Sequence, residues 1–167
     1  IEGPPGSGKT TIAKAFIDKQ HNKNGIYLCW NNLLMHFTKS ILNNRQLSNI
    51  EVTTFFRFIQ KHNPSLDYEI LSSLNEDQFY ELVKETIQKL EKNDKLVPYD
   101  FIVIDEAQDI FDRGLDLFIN KFSGFNGQGL VNGNSLILYD IDQSYIASGR
   151  NIAEIADLMT EYYCHYK

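Results

Sequence analysis

The sequence predicts an α/β fold of three layers, in which a mostly parallel sheet is covered by helices on both faces. Three observations support this prediction. Short apolar runs such as Phe101–Ile104 are continuous, as in strands that are buried on both sides. Longer segments between these runs repeat their apolar residues at helical spacing. A glycine-rich loop over Gly3–Gly8 stands between a strand stub and a helix, the order of a strand–loop–helix unit.

In the first half of the chain, helix and strand signals alternate. A helix is predicted over Lys9–Gln20, directly after the glycine-rich loop. An Asn-Gly turn signal then precedes an apolar strand over Gly25–Trp30. Apolar residues at the spacing of a one-faced helix predict a helix over Leu33–Leu42. A brief β-branched stretch, Glu51–Thr54, leads into an aromatic run, Phe55–Phe58.

The clearest helix signal lies in the second half of the chain, over Glu76–Lys92. Asn75 and Gln78 have the spacing of a capping box, in which each side chain accepts a hydrogen bond from the other residue's backbone N–H. One apolar stripe then runs along the helix. The remaining predicted elements are, in order, strands over Phe101–Ile104 and Ser135–Tyr139, a helix over Asn151–Thr160 and the start of a strand over Glu161–Lys167.

The composition excludes several classes of protein. With 43% hydrophobic and 23% charged residues, the chain is close to the average for globular domains, so disorder is not expected. No apolar run approaches the roughly 20 residues of a membrane helix, and we expect no membrane partner. The two cysteines, Cys29 and Cys164, lack any CxxC spacing, which indicates a reducing compartment and predicts a cytoplasmic protein.

The net charge bears on how the chain could bind nucleic acid, and the ends of the sequence bear on the extent of the domain. The formal net charge of −6 excludes a protein that binds nucleic acid mainly through its overall charge. Nucleic acid would have to be bound locally, by stacking and a few directed donors. Because only Ile1 and Glu2 precede the glycine-rich loop, we expect residues 1–167 to be a single domain truncated at both ends.

The glycine-rich loop fits the P-loop pattern G-x-x-x-x-G-K-[ST], which predicts a nucleotide site. Its glycines let successive N–H groups point at a phosphate, and the following helix directs its positive end to the same place. Lys9 is expected to contact the β- and γ-phosphates, and the Thr10 hydroxyl to bind Mg²⁺. The predicted nucleotide-binding residues are Gly3, Pro4, Pro5, Gly6, Ser7, Gly8, Lys9, Thr10 and Thr11.

Two acidic residues at the end of the strand Phe101–Ile104 complete this candidate site. Asp105 is placed to hold Mg²⁺ beside the loop, and Glu106 to orient or deprotonate the attacking water. Alone, an apolar run followed by Asp-Glu also fits the solvated cap of a helix. With the P-loop pattern, the pair predicts an ATP hydrolase. The four histidines share no ligand spacing, so they are expected to be solvated or core residues rather than metal ligands.

The motifs GPPGSGKTT, VIDEAQD and YDIDQSY occur in the order found in one family of motor proteins. In these motifs the sequence resembles the UvrD/Rep-type superfamily 1 helicases, specifically their first RecA-like motor domain. The resemblance covers nearly the whole chain. It implies a RecA-like P-loop NTPase fold and ATP-dependent helicase or translocase activity on DNA. It also implies that Gln143 contacts the γ-phosphate, as a third catalytic residue, and that Arg150 lies near the phosphates.

The same resemblance implies contacts with single-stranded nucleic acid, which we expect to be DNA. Trp30 and Asn31 stand where the family has an aromatic residue and Asn beside the strand, and Thr54, Phe55 and Phe56 resemble its TFH segment. Tyr145 follows the QS motif. Three features depart from the family pattern: Tyr139 replaces a glycine, Phe56 replaces a histidine, and Tyr145 stands one position early.

The resemblance also implies features outside the P-loop core. Residues 57–99 occupy the place of the family's accessory domain and predict a reduced, mainly helical insertion. A second RecA-like domain in cis is expected to supply arginines to the ATP site. The isolated fragment is therefore expected to hydrolyse little ATP, since an arginine finger contributes roughly 10³–10⁵ to the rate.

Two other functions remain open from the residues alone. The first is an ATPase switch in a defence or regulatory protein that uses the same fold without unwinding. The second is a nucleotide-binding scaffold without hydrolysis. The four intact residues Lys9, Thr10, Asp105 and Glu106 argue against the scaffold, because a degenerate site usually loses one of them.

Overall fold

The computed structural model describes residues 1–20, 22–43, 49–123 and 134–140. Two 3₁₀ turns, Ala107–Asp109 and Phe111–Arg113, lie between the third strand and the last helix of this part of the chain. The helices and strands are, in chain order, α1 Lys9–Asp18, β1 Gly25–Cys29, α2 Asn32–Asn43, β2 Ile50–Thr54, α3 Phe55–His62, α4 Tyr68–Ser73, α5 Glu76–Lys92, β3 Phe101–Ile104, α6 Leu115–Phe122 and β4 Ser135–Ile137.

The strands form one parallel sheet with the spatial order β2-β1-β3-β4. The predicted strand stub extends this sheet, because Glu2 pairs in parallel with Tyr139 just beyond β4. Two backbone bonds fix that pairing, from the Tyr139 N–H to the Ile1 carbonyl and from the Gly3 N–H to the Tyr139 carbonyl, both at 3.2 Å. Since all strands are parallel, their carboxyl ends meet at one edge of the sheet.

Each face of the sheet buries its own hydrophobic core. Successive residues of β1 point to opposite faces, so Ile26 and Leu28 belong to one core and Tyr27 and Cys29 to the other. The first core lies beneath α3, α4, α5 and α6, and the second beneath α1 and α2. The predicted three-layer α/β fold is therefore confirmed.

Gly25 begins β1 at a point where no side chain fits. A Cβ atom built on Gly25 would lie 2.0 Å from the tip of the Phe101 ring on the neighbouring strand. That ring is buried and makes an edge contact with Phe16 of α1, at 6.0 Å between centroids. The glycine of the predicted turn signal is therefore required by a close approach between two strands.

Helix α5 and strand β3 have the predicted bounds, and the capping box at the start of α5 is present. The Asn75 and Gln78 side chains accept hydrogen bonds from each other's backbone N–H at 2.9 and 3.0 Å. Strand β1 ends one residue earlier than predicted, at Cys29, and β4 ends at Ile137. The elements predicted over residues 151–160 and 161–167 lie outside the described residues.

Three helices were not assigned from the sequence. The aromatic run after β2 is the first turn of α3, and α4 and α6 follow later in the chain. The apolar residues of α6 do have helical spacing, at Leu115, Phe118, Ile119 and Phe122. Most of α3 and all of α4 and α5 fall within residues 57–99 and share one core with the sheet, while the interpretation of this segment as an insertion stays a prediction. None of the described helices has both the length and the apolarity that crossing a bilayer requires.

Candidate functional site

The carboxyl edge of the sheet brings the predicted nucleotide residues together. The glycine-rich loop follows the strand stub, Asp105 and Glu106 follow β3, and Asp140 follows the bridge at Tyr139. The backbone links these loops, because the Ala107 N–H donates to the carbonyl of Leu138 at 3.0 Å. Parallel α/β sheets bind their ligands beyond this edge, so the arrangement identifies it as the candidate site.

The glycine-rich loop has a backbone shape that favours glycine. Gly6 and Gly8 have φ values of 76° and 91°, in the left-handed region that other residues rarely adopt. A Cβ atom on Gly3 would lie 2.6 Å from the Ser7 hydroxyl oxygen, so the loop also closes tightly on itself. The N-cap residue of α1 is Gly8, which has no side chain to accept from the N–H groups of the first turn, so an anion can accept from them. The loop therefore fits a phosphate group.

Lys9 is the first residue of α1, directly after the loop, and is only 8% exposed. Its ammonium group donates hydrogen bonds to the carbonyls of Gly3 at 2.5 Å and of Pro4 at 3.2 Å. The next residue, Thr10, is partly buried at the first turn of α1, and Thr11 is exposed. The fold thus places one buried positive charge at the centre of the candidate phosphate site.

Asp105 is buried at the end of β3, and both of its carboxylate oxygens accept hydrogen bonds. One accepts from the Tyr27 hydroxyl of the neighbouring strand, and the other from the Glu106 N–H at 3.1 Å. Burial raises the pKa of Asp105, and the hydrogen bond from Tyr27 opposes that rise. The pKa of Tyr27 is raised as well, by burial and then by the negative charge of Asp105.

The carboxylate oxygens of Asp105 and the hydroxyl oxygen of Thr10 are ligands that fit a magnesium ion. Mg²⁺ prefers hard oxygen ligands and is usually held by one or two carboxylates, phosphate oxygens and water. Asp105 and the Thr10 hydroxyl are the side chains predicted to hold it. In the part of the chain that the structure describes, no cluster of three or more His, Cys, Asp or Glu side chains offers a different metal site.

Tyr27→Phe is expected to lower the free energy of unfolding by about 1.5–3 kcal/mol at neutral pH, as for hydrogen bonds to charged groups. The Tyr27 hydroxyl stabilises the ionised carboxylate, so its removal raises the pKa of folded Asp105 further. The destabilisation is therefore fully present above that pKa. It shrinks as the pH falls through the raised folded pKa of Asp105, first that of the variant and then that of the wild type, because folded Asp105 is then protonated in both proteins.

Urea unfolding with EDTA at pH 7 and at pH 4 measures this difference. Tyr99→Phe is the matched control, because Tyr99 donates a comparable hydrogen bond to Glu51 at 2.8 Å. The Glu51 side chain is 31% exposed, so water can replace that bond and a smaller loss is expected. An equal loss at both pH values for Tyr27→Phe would show that the hydroxyl does not act on the Asp105 carboxylate.

Glu106 is held in place by Gln108, whose role was not predicted from the sequence. The Gln108 side-chain amide donates a hydrogen bond to the Glu106 carboxylate at 2.7 Å, and its oxygen accepts one from the Asp140 N–H at 3.1 Å. Glu106 has a φ of 54°, an uncommon conformation for a residue other than glycine. Gln108 is part of the DEAQD motif, which is the signal that could have identified it. The predicted residues Gln143, Tyr145 and Arg150 lie outside the described residues.

A groove of about 1060 Å³ opens at the same edge of the sheet, beyond β1 and β2. Its aromatic side chains are those of Trp30, Phe56 and Tyr68, and its cationic side chains are those of Arg57, Lys61 and Arg113. Phe56 connects the aromatic residues, with its ring centroid 4.7 Å from that of Trp30 and 5.9 Å from that of Tyr68. The groove therefore combines stacking surfaces with positive charge.

Four of the predicted nucleic-acid residues line this groove: Trp30, Asn31, Thr54 and Phe56. The Asn31 side chain accepts a hydrogen bond from the Leu34 N–H at 2.7 Å, at the start of α2. The buried Thr54 hydroxyl accepts one from the Arg57 N–H at 3.2 Å and caps α3. Both polar side chains thus also stabilise a helix end.

Phe55 requires a correction. It was predicted beside nucleic acid, but it is fully buried, with its ring centroid 5.8 Å from those of both Phe79 and Phe118. The reason is that α3 begins at Phe55, and neighbouring helical residues point about 100° apart. Phe56 therefore faces the groove and Phe55 faces the core, where it cannot stack on a base.

A family model described as an AAA domain matches residues 1–132, which is most of the chain and includes the glycine-rich loop, Asp105 and Glu106. No curated protein matches the sequence.

Proposed function

Because the chain belongs to the AAA domain family of P-loop ATPases, we propose that it is the ATP-hydrolysing motor domain of a superfamily 1 helicase or translocase. It would move along single-stranded nucleic acid, which we expect to be DNA. The family accounts for nucleotide binding and ATP hydrolysis in general. The helicase assignment is finer, and it is supported by the DEAQD and DIDQS motifs and by the groove beside the nucleotide site.

In this proposal the residues at the carboxyl edge of the sheet have separate roles in ATP hydrolysis. The loop N–H groups and Lys9 bind the phosphates, and Glu106, oriented by Gln108, accepts a proton from the attacking water. Mg²⁺, held by Thr10 and Asp105, would neutralise charge on the phosphates. We expect a second RecA-like domain to supply the arginines that complete the site, so hydrolysis is best measured on the full-length protein.

The observation that supports nucleic acid as the partner is the composition of the groove. Proteins that bind single strands combine aromatic rings, on which bases stack, with cations that follow the phosphate backbone. The groove presents Trp30, Phe56 and Tyr68 together with three cationic side chains, although the chain has a net charge of −6. Arg57 and Arg113 thus place positive charge where stacking surfaces are available, while Lys61 is ion-paired with Glu51 at 2.8 Å.

Tyr68→Ala is expected to weaken binding of a short oligothymidylate by about 1–3 kcal/mol, the usual value for one stacked base. Tyr68 is 61% exposed at the groove, so its removal leaves the core intact. Phe37→Ala is the matched control, because Phe37 is 55% exposed on α2 and does not line the groove. Fluorescence anisotropy of a labelled oligonucleotide gives both affinities. Equal oligonucleotide affinities of the two variants would show that the strand does not bind in the groove.

Strand displacement by the full-length protein tests the activity itself. ATP-dependent displacement, lost in Lys9→Ala, is the result expected of a helicase. ATP hydrolysis without displacement or movement along a strand would instead favour the ATPase switch. Nucleotide binding without hydrolysis would favour the scaffold.

A further inference from the structure

Arg113 covers one face of Trp30 in the groove. Its guanidinium carbon lies 4.8 Å from the centroid of the Trp30 ring and 5.8 Å from that of Phe79. Distances within about 6 Å are those of cation–π contacts. A base that stacks on this face of Trp30 therefore has to displace the guanidinium of Arg113.

The chain connects Arg113 directly to Glu106 through the two 3₁₀ turns. The Asp109 N–H donates to the Glu106 carbonyl at 3.1 Å, and the Arg113 N–H donates to the Ile110 carbonyl at 3.0 Å. Ala107 and Ile110 are fully buried, which anchors the turns against the core. The hydrogen bonds of 3₁₀ turns have poorer geometry than those of an α-helix. A change at Glu106 can thus reach Arg113 through a short, hydrogen-bonded segment.

The far end of this segment is closely packed. Gly114 has a φ of 90°, and a Cβ atom built on it would lie 3.1 Å from the Val83 side chain of α5. Between the two ends, Asp109 is affected by both charged neighbours. Burial and the charge of Glu106 raise the pKa of Asp109, and Arg113 opposes that rise. The charges of Glu106 and Arg113 are therefore linked electrostatically as well as through the backbone.

We propose that Arg113 is a positioning residue that couples the nucleotide state at Glu106 to the stacking face of Trp30. Nucleotide binding shifts the segment that starts at Glu106, and the shift changes how far Arg113 covers Trp30. This inference rests on the proposed function, since it assigns a regulator to the proposed nucleic-acid groove. Sites coupled in this way change each other's affinity by the same factor, commonly about 5- to 150-fold.

Trp30 is the single tryptophan of the chain, so its emission reports on this contact directly. The test titrates the chain with Mg²⁺ and a non-hydrolysable ATP analogue while Trp30 emission is recorded, and calorimetry measures analogue binding in parallel. We expect the analogue to change the emission of the wild type and to leave that of Arg113→Gln unchanged. Arg113→Lys should respond in part, because lysine keeps the charge but lacks the flat guanidinium. Lys121→Gln removes a positive charge outside the groove and should respond as the wild type does.

The second measurement is the affinity for a short oligothymidylate with and without the analogue. The analogue is expected to shift the oligonucleotide Kd of the wild type by about 5- to 150-fold, and the shift is expected to be lost in Arg113→Gln. Equal responses of the wild type, Arg113→Gln and Arg113→Lys to the analogue would overturn the coupling. Binding of the analogue to the wild type without a change in Trp30 emission would overturn it as well. Failure of the proposed function looks different: the oligonucleotide would bind no variant, while the emission response to the analogue would still depend on Arg113.

Discussion

Replacing Glu106 with glutamine is expected to preserve nucleotide binding and to slow ATP hydrolysis by about 10²-fold or more. Glutamine has the shape of glutamate but cannot accept a proton from the attacking water. The surroundings change little, because an oxygen at the same position still accepts the hydrogen bond that Gln108 donates at 2.7 Å. Steady-state phosphate release by the full-length protein measures turnover, and calorimetry with an ATP analogue measures binding.

Asp109→Asn is the matched comparison for this variant. Asp109 lies in the 3₁₀ turn that follows Glu106 and is also partly buried, which makes it the next candidate for the base. We expect Asp109→Asn to retain most of its turnover. Wild-type turnover in Glu106→Gln, with a large loss in Asp109→Asn, would move the base to Asp109.

Lys9→Ala is expected to abolish binding of the Mg²⁺-nucleotide. The fold holds the Lys9 ammonium within the glycine-rich loop, where it donates to the carbonyls of Gly3 and Pro4. Its positive charge also acts on the predicted Mg²⁺ ligand. Burial raises the pKa of Asp105, and the charge of Lys9 opposes that rise. Alanine removes the side-chain cation that is predicted to contact the β- and γ-phosphates. Calorimetric titration with an ATP analogue, alongside thermal unfolding of the variant, measures the loss.

Lys19→Ala provides the control for charge and helix content. Lys19 is exposed at the carboxyl end of α1, the helix that also carries Lys9, and it lies away from the loop. Its replacement is expected to leave nucleotide affinity unchanged. If Lys9→Ala bound nucleotide as tightly as Lys19→Ala, the glycine-rich loop would not be the nucleotide site.

Local signals predicted the elements that local interactions define. Helix α5 has its capping box and its apolar stripe within one continuous segment, and β3 is a short apolar run between polar residues. The P-loop pattern is likewise local, because the loop and the start of α1 are consecutive in the chain. Helix α3 was harder to assign, since a run of aromatic residues fits a strand as well as a helix.

The roles of Phe55 and Phe56 show where a local signal fails. Both residues were placed beside nucleic acid, because the TFH-like segment gives a position in the chain but no direction for each side chain. The start of α3 decides that direction, so that Phe55 packs on Phe79 and Phe118 while Phe56 lines the groove.

The sequence by itself determined the α/β class, the glycine-rich loop with Lys9 and the acidic pair after β3. Only the tertiary structure decided that Tyr27 donates to Asp105 and that Arg113 lies over Trp30. The physical reason is that these contacts join residues far apart in the chain. They depend on the order of the strands in the sheet and on the path of the turns after β3, and neither leaves a periodic signal in the sequence.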